Sequence, residues 1–273
     1  MQIGFTISDF GGKQPGELLA LAKSFGVSFV EFNPTVLKDL EAVCSGLNGV
    51  VAGFHLPLVS EHGYDLSSVA HKDKIDNVIH ELNHHRNDLN LVYCVTHPPE
   101  TEEKAWLGND PVEYLIDNLL RLEVPIIIEN VESWNQPDFD RLYQTIHAAL
   151  GRRLVGQCFD PAHAYLRGEN IFERFDQIAE KVLCIHLSDC AKGHDAHLPL
   201  GQGELPVGEF LHHVARHQFD GIINLEVAPQ SLSEMRSLIE SYLKVLRVFK
   251  KGKFFTTALR AAFQGPRLAS LTR

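Results

Sequence analysis

The run CFDPAHAYLRG (158–168), continued by VLCIHLSDCAKGHDAHLPLGQGE (182–204) and GIINLEV (221–227), carries Asp160, His163, His186, Asp189, Asp195, His197 and Glu226. Asp160, His186 and Glu226 each stand where an apolar, β-branched run ends, and the others stand in the loop just beyond. Carboxylates and imidazoles at strand ends are the O and N donors that a divalent cation takes.

Working outward, runs of the same kind recur along the whole chain. They are QIGFTI (2–7), VSFVEF (27–32), VVAGFHLP (50–57), LVYCVTHP (91–98), VPIIIEN (124–130), LVGQCFDP (154–161), VLCIHLSD (182–189) and GIINLEV (221–227). Amphipathic stretches such as PGELLALAKSFG (15–26) and PVGEFLHHVARHQ (206–218) separate them, with Pro at or near the first turn, where its missing N–H costs nothing. Strict strand–helix alternation predicts a parallel sheet, and strands this apolar are buried on both faces. Eight such units in about 250 residues close into a single α/β (β/α)8 TIM barrel, whose chemistry sits at the C-terminal strand ends. A doubly wound open sheet is the alternative, but no G-x-G-x-x-G follows the first strand to support it. The barrel is expected over residues 1–250.

Composition agrees with a globular enzyme-sized domain. Of 273 residues 44% are hydrophobic and 22% charged, and the net charge of −10 argues against a general nucleic-acid binder. The five Cys form no CxxC pair, which suggests a reducing compartment. MQIGFTISDF is too short and polar for a secretory apolar core, and no run of about 18 apolar residues exists. The expectation is a soluble cytoplasmic protein without membrane partners. After Glu240 the chain has no acid but carries Lys244, Arg247, Lys250, Lys251, Lys253, Arg260, Arg267 and Arg273. Residues 251–273 are therefore set apart as a basic C-terminal extension, with FFTTALRAAF (254–263) as a short helix. The arm is either packed on the barrel base or left solvated, or else contacts another subunit or an anionic ligand.

Taken as a set, the ends of strands three to eight bear His55, His97, Glu129, Asp160, His186 and Glu226. One such residue is usually hydrogen-bonded packing; six in register on one face predict bound metal. HLP (55–57), THP (96–98), EN (129–130), D-x-x-H (160–163), IHLSD (185–189), GQGE (201–204) and the Glu of INLEV (223–227) resemble the xylose isomerase-like barrels. That family includes sugar isomerases and epimerases and the type IV apurinic endonucleases.

The resemblance implies two ligand sets. The isomerase-like branch implies one metal (Mn2+, Mg2+ or Co2+) on Glu129, Asp160, His186 and Glu226, the two glutamates also moving protons. The endonuclease-like branch implies up to three Zn2+, with His55 and His97 completing a first ion with Glu129. Asp160, His186 and Glu226 complete the second, and His163, Asp195 and His197 hold the third. All nine positions are filled here. The pair Asp195 and His197 discriminates most, because many isomerase-type relatives carry a substrate-binding residue in this loop. The segment HLPLVSEHGYDL (55–66) puts Leu58 where the DNA-cleaving members have a tyrosine-bearing segment, and no Arg-rich loop follows strands one or two. These departures argue against duplex DNA. The expected activity is phosphoester hydrolysis of a small molecule, with a sugar or sugar phosphate isomerase or epimerase as the alternative.

Five further residues stand near the strand ends. Asp189 is expected behind a ligand imidazole, or else as a cap on its loop. Glu132 and Trp134, just past strand five, are expected to line the substrate pocket. Glu31 and Asn33, at the end of strand two, are read as caps of the next helix.

Overall fold

The computed structural model describes residues 1–8, 12–100, 110–191, 193–227 and 235–270. Eight parallel strands close a barrel: β1 (Gln2–Ile7), β2 (Phe29–Phe32), β3 (Val51–His55), β4 (Leu91–Thr96), β5 (Ile126–Glu129), β6 (Leu154–Phe159), β7 (Val182–Leu187) and β10 (Ile222–Leu225). Each pairs with its sequence neighbour and β1 pairs with both β2 and β10. A short antiparallel hairpin, β8 (Asp189–Ala191) with β9 (His194–Leu198), is inserted between β7 and β10. The single (β/α)8 barrel is the fold expected.

Around the barrel lie α1 (Pro15–Ser24), α2 (Leu40–Gly46), α3 (Val59–His62), α4 (Lys72–His85), α5 (Pro111–Leu119), α6 (Gln136–Leu150), α7 (Pro161–Leu166), α8 (Ile171–Ile178), α9 (Val207–Arg216), α10 (Met235–Phe249) and α11 (Lys251–Ser270). Local sequence explains their starts. Asp110, Asn135, Asp160 and Asn170 each accept a backbone N–H at the N-cap, satisfying donors that a helix start leaves unpaired. The outer layer packs through aromatic faces: Phe175 of α8 is fully buried and meets the Phe159 and Phe210 rings at 6.0 and 5.8 Å. Burying such a side chain contributes about 1.5–3 kcal/mol.

Inside the barrel the period of two decides what each stave offers. Phe29, Tyr93, Val95, Ile127, Cys158, Cys184 and Ile222 form a plug separate from the outer core. Two residues further along the same strands come Glu31, Val95, His97, Glu129, Asp160, His186 and Asn224. Polar groups therefore begin directly above an apolar plug. Gly53 makes room for this arrangement, since a Cβ there would lie 2.6 Å from the Tyr93 ring.

The tail forms the helix α11. Thr257 of α11 is buried and bonds the Phe25 carbonyl at 3.2 Å, while Phe255, Leu259 and Phe263 remain exposed. Residues 271–273 lie outside those described. Among the described residues no helix is long and apolar enough to cross a membrane, and the five cysteines are free.

Candidate metal centre

The six ligands expected at strand ends sit at the tops of their staves, while His163 lies on α7 and Asp195 and His197 on β9. His55 and Glu129 end β3 and β5, His97, Asp160 and Glu226 directly follow β4, β6 and β10, and His186 is the penultimate residue of β7. Glu129 is the hub. Its Oε2 lies 3.4 Å from His55 Nε2, 3.3 Å from His97 Nε2 and 2.9 Å from His186 Nδ1, and its Oε1 lies 3.5 Å from His163 Nδ1. Glu226 Oε1 approaches the same His186 Nδ1 at 3.1 Å. On the far side Asp195 Oδ2 lies between His163 Nε2 at 3.1 Å and His197 Nε2 at 3.0 Å. The nine expected positions thus converge on one crater.

Asp160 works twice. It caps α7 by accepting the His163 N–H at 2.8 Å, which fixes the D-x-x-H turn. Asn130 clamps it from β5, accepting the Asp160 N–H and donating to its carbonyl, each at 2.8 Å. The Asn130 carbonyl also receives His163 Nδ1 at 2.8 Å. The EN motif at 129–130 is thereby explained: one residue faces the crater and the next locks the adjacent strand.

Electrostatically the crater is a mesh of opposite charges. Burial would depress the His55 imidazole, but the hydrogen bond and charge of Glu129 outweigh it and raise it to about 9. His197 is lifted to about 9, Asp195 overcoming burial. Burial also works against His186 and His163, yet both stand well above the ordinary imidazole value, His186 through Cys158, Glu129, Glu226 and Glu31 and His163 through Asp160, Asp195 and Glu129. Glu129 resists the upward push of burial and is held well below the carboxylate range by His186 and His97. Asp160, by contrast, is raised by burial to about 6.

A divalent cation fits this set. Glu129 Oε1, Asp160 Oδ2, His186 Nδ1, Asp195 Oδ1 and His197 Nδ1 are buried without a hydrogen-bond partner among the described residues. Such orphaned donors and acceptors are costly unless something satisfies them. The groups His55–His97–Glu129, His55–His186–Glu226 and Glu129–Asp160–His163 each bring their ligand atoms within 4.8 Å of one another. All three groups have the N and O composition that Zn2+ and harder divalent ions accept.

Three expectations are corrected. Asp189 touches no imidazole: its carboxylate accepts the backbone N–H of Cys190, Gly201 and Leu205 at 3.0, 2.8 and 2.9 Å. It clasps the loop beyond β7, the alternative role. Gly203 packs so closely beneath it that a Cβ would lie 2.5 Å from Asp189 Oδ1, which accounts for GQGE. Glu132 is exposed, and Trp134 is half-buried with its indole donating to the Pro99 carbonyl at 3.3 Å. Neither lines the cavity, because the chain turns outward into α6. Glu31 caps nothing: it is fully buried inside the barrel, whereas Asn33 does cap the next turn by accepting the Thr35 N–H at 3.1 Å.

The cavity above the crater measures about 630 Å³. Its rim includes Lys38, Ser60 and His62, and Phe5, Leu18 and Met235 supply apolar wall. Sequence reasoning missed these rim residues and also Glu100, whose Oε1 lies 2.7 Å from His97 Nδ1. The only advance signal was proximity: Glu100 follows THPP, and a ligand imidazole needs a partner for its second nitrogen. A separate group on the outer helices, Asp176, His213 and His217, is hydrogen-bonded in itself. Arg216 donates to His213 Nδ1 at 2.9 Å, which leaves the proton on Nε2 for Asp176.

Barrel and crater together define the class. The chain belongs to the xylose isomerase-like TIM barrel family, whose sequence model matches residues 19–250. No curated protein matches it by sequence. Similar solved structures include an AP endonuclease, family 2, from Brucella melitensis, at 14% identity over 85% of this chain and 94% of that one, with a TM-score of 0.64. A xylose isomerase domain protein from Planctomyces limnophilus gives 16% identity, 92% and 97% coverage and a TM-score of 0.66. A D-psicose 3-epimerase from Clostridium cellulolyticum H10, solved with D-tagatose, gives 13%, 98% and 98%, and 0.61. At these identities the likeness is one of fold.

Proposed function

We propose that this protein is a multinuclear, zinc-dependent phosphoester hydrolase acting on a small molecule. The observation that carries the reading is a further set beyond those three groups, His163, Asp195 and His197: Asp195 Oδ2 lies 3.1 Å from His163 Nε2 and 3.0 Å from His197 Nε2, beside the two groups that share Glu129. In a one-metal site His163 and His197 would instead hold substrate hydroxyls. When bound, divalent ions supply positive charge for phosphoryl oxygens and lower the pKa of water.

The protein's own groups do the rest. Glu129, reached by four imidazoles, is the shared carboxylate that holds the ligand groups in common. Glu226 stands across His186 Nδ1 from it and is the carboxylate placed to take a proton at the crater wall. Lys38 and His62 on the rim supply cationic and hydrogen-bonding groups suited to the outer oxygens of a phosphoester. A cavity of about 630 Å³ suits a small molecule rather than a duplex.

A second reading has its own support. Glu129 and Glu226 flank one imidazole nitrogen at 2.9 and 3.1 Å, as a pair exchanging protons at neighbouring carbons would, and several structural neighbours are named sugar epimerases. In that case a single Mn2+, Mg2+ or Co2+ serves on Glu129, Asp160, His186 and Glu226, and a sugar is the substrate. Elemental analysis of protein purified without added metal separates the two. About three Zn2+ per chain, with phosphodiester turnover lost in His197→Ala, supports hydrolysis. One exchangeable Mn2+, with solvent deuterium entering a ketose, overturns it.

A further inference from the structure

Beneath the crater lies a carboxylate that no ligand set includes. Glu31 stands in the strand FVEF, fully buried and absent from the cavity wall. Its neighbours all give it protons. Tyr93 Oη donates to Oε2 at 2.7 Å, Asn224 Nδ2 donates to Oε1 at 3.3 Å, and His186 Nε2 lies 3.1 Å from Oε2. Tyr93 and Asn224 both donate to it, so Glu31 is the acceptor of the set and the His186 contact is a hydrogen bond with the proton on Nε2. The lone pair of a neutral His186 then sits on Nδ1. That atom has no hydrogen-bond partner, yet it lies 2.9 Å from Glu129 Oε2 and 3.1 Å from Glu226 Oε1. With His186 neutral, these are three electron-rich atoms facing one another, a set that a cation satisfies.

We propose that Glu31 is a positioning residue: it holds His186 in the Nε2–H tautomer and at the rotation that turns Nδ1 toward Glu129 and Glu226. The inference rests on the metal-binding reading but not on the choice between hydrolysis and isomerisation. Glu31 does not touch the substrate. Tyr93 fixes Glu31 from the plug side, and Gly53 provides the space for the Tyr93 ring. The orientation of the ligand is therefore built into the barrel interior, where neither solvent nor substrate reaches it.

The test measures Zn2+ affinity of the full-length protein by chelator competition. Glu31→Ala binds Zn2+ about 10- to 100-fold more weakly than wild type, the range expected when the partner of a ligand imidazole is lost. Glu31→Gln, which still accepts from Nε2, stays within about 5-fold, and Tyr93→Phe, which removes a different donor to the same carboxylate, stays within about 3-fold. A folded Glu31→Ala that binds as tightly as wild type overturns the proposal, as does Glu31→Gln weakening binding as much as Glu31→Ala. A long-range 1H–15N spectrum of Zn2+-loaded wild type supplies a readout that needs no variant to fold. It shows the His186 proton on Nε2 and the metal on Nδ1; the reverse assignment overturns the proposal. Wild type that takes up no divalent cation fails at an earlier step and removes the metal-binding reading itself.

Discussion

His97 and Glu100 are locked together: Nδ1 lies 2.7 Å from Oε1, which leaves Nε2 facing Glu129 Oε2 at 3.3 Å. Glu100 is held in turn, its other oxygen accepting the Val59 N–H at 3.1 Å while its own N–H goes to Asp65 at 2.9 Å. Carboxylate partners of ligand imidazoles typically change metal affinity by about 10- to 100-fold. Glu100→Ala is expected to weaken uptake at the His55–His97–Glu129 group by that amount while leaving the far-ultraviolet circular dichroism unchanged. Metal content after dialysis against a graded chelator checks it.

The third group separates the two functional readings. Asp195→Asn and His197→Ala each remove one donor from the set around Asp195 Oδ2. Each variant should carry one fewer Zn2+ per chain and lose about 100-fold or more in phosphodiester turnover, the scale seen when one preorganised electrostatic group is deleted. Full turnover with a missing ion would show that the group is not part of the reaction.

Without metal, the fold should weaken as pH rises. His55 and His197 are raised from 6.5 to about 9 in the folded chain. A group with a raised folded pKa stabilises fully below its unfolded value and loses that contribution as pH climbs through the folded one. The window is therefore pH 6.5 to about 9, and the carboxyl of Asp160, raised to about 6, adds no slope above it. Chelated protein should melt at steadily lower temperature across this window. Metal-loaded protein, whose imidazoles no longer need those protons, should not. Scanning calorimetry at four pH values suffices, and a level profile for the chelated form counts against the mesh.

Asp189 ties stability to the site. Deleting a buried carboxylate that accepts three backbone N–H groups should cost about 3 kcal/mol or more. The hairpin β8–β9, which bears Asp195 and His197, starts at this residue. Asp189→Ala is thus expected both to lower the melting temperature and to lose the third ion, whereas Phe175→Ala should lower the melting temperature by a similar amount and keep it.

The crater was readable from sequence wherever periodicity governs position. Once the staves are recognised, alternation fixes which residue faces inward, and His55, His97, Glu129, Asp160, His186 and Glu226 follow. Beyond the strand ends that rule stops. Glu132 and Trp134 lie three and five residues beyond the end of β5 and turn away, and Asp189 bends back onto its own loop. Nothing local distinguishes those outcomes, because the path of a loop depends on what it packs against. Glu31 was misplaced for another reason. It obeys the alternation, but in a four-residue strand a terminal charge looks the same whether it caps the next turn or enters the interior. The rim residues Lys38 and His62 depend on short helical turns after β2 and β3 that carry no motif.

Alternation along the staves has one more consequence. Crater donors and plug residues occupy the same parity of the same strands, so inserting or deleting one residue inside β4 or β6 would turn His97 or Asp160 out of the lumen and break the plug together. Substitution can exchange the donors one at a time, but a shift of frame within a stave cannot be survived. Descendants of this barrel are free to alter their metals and chemistry only while every stave keeps its count.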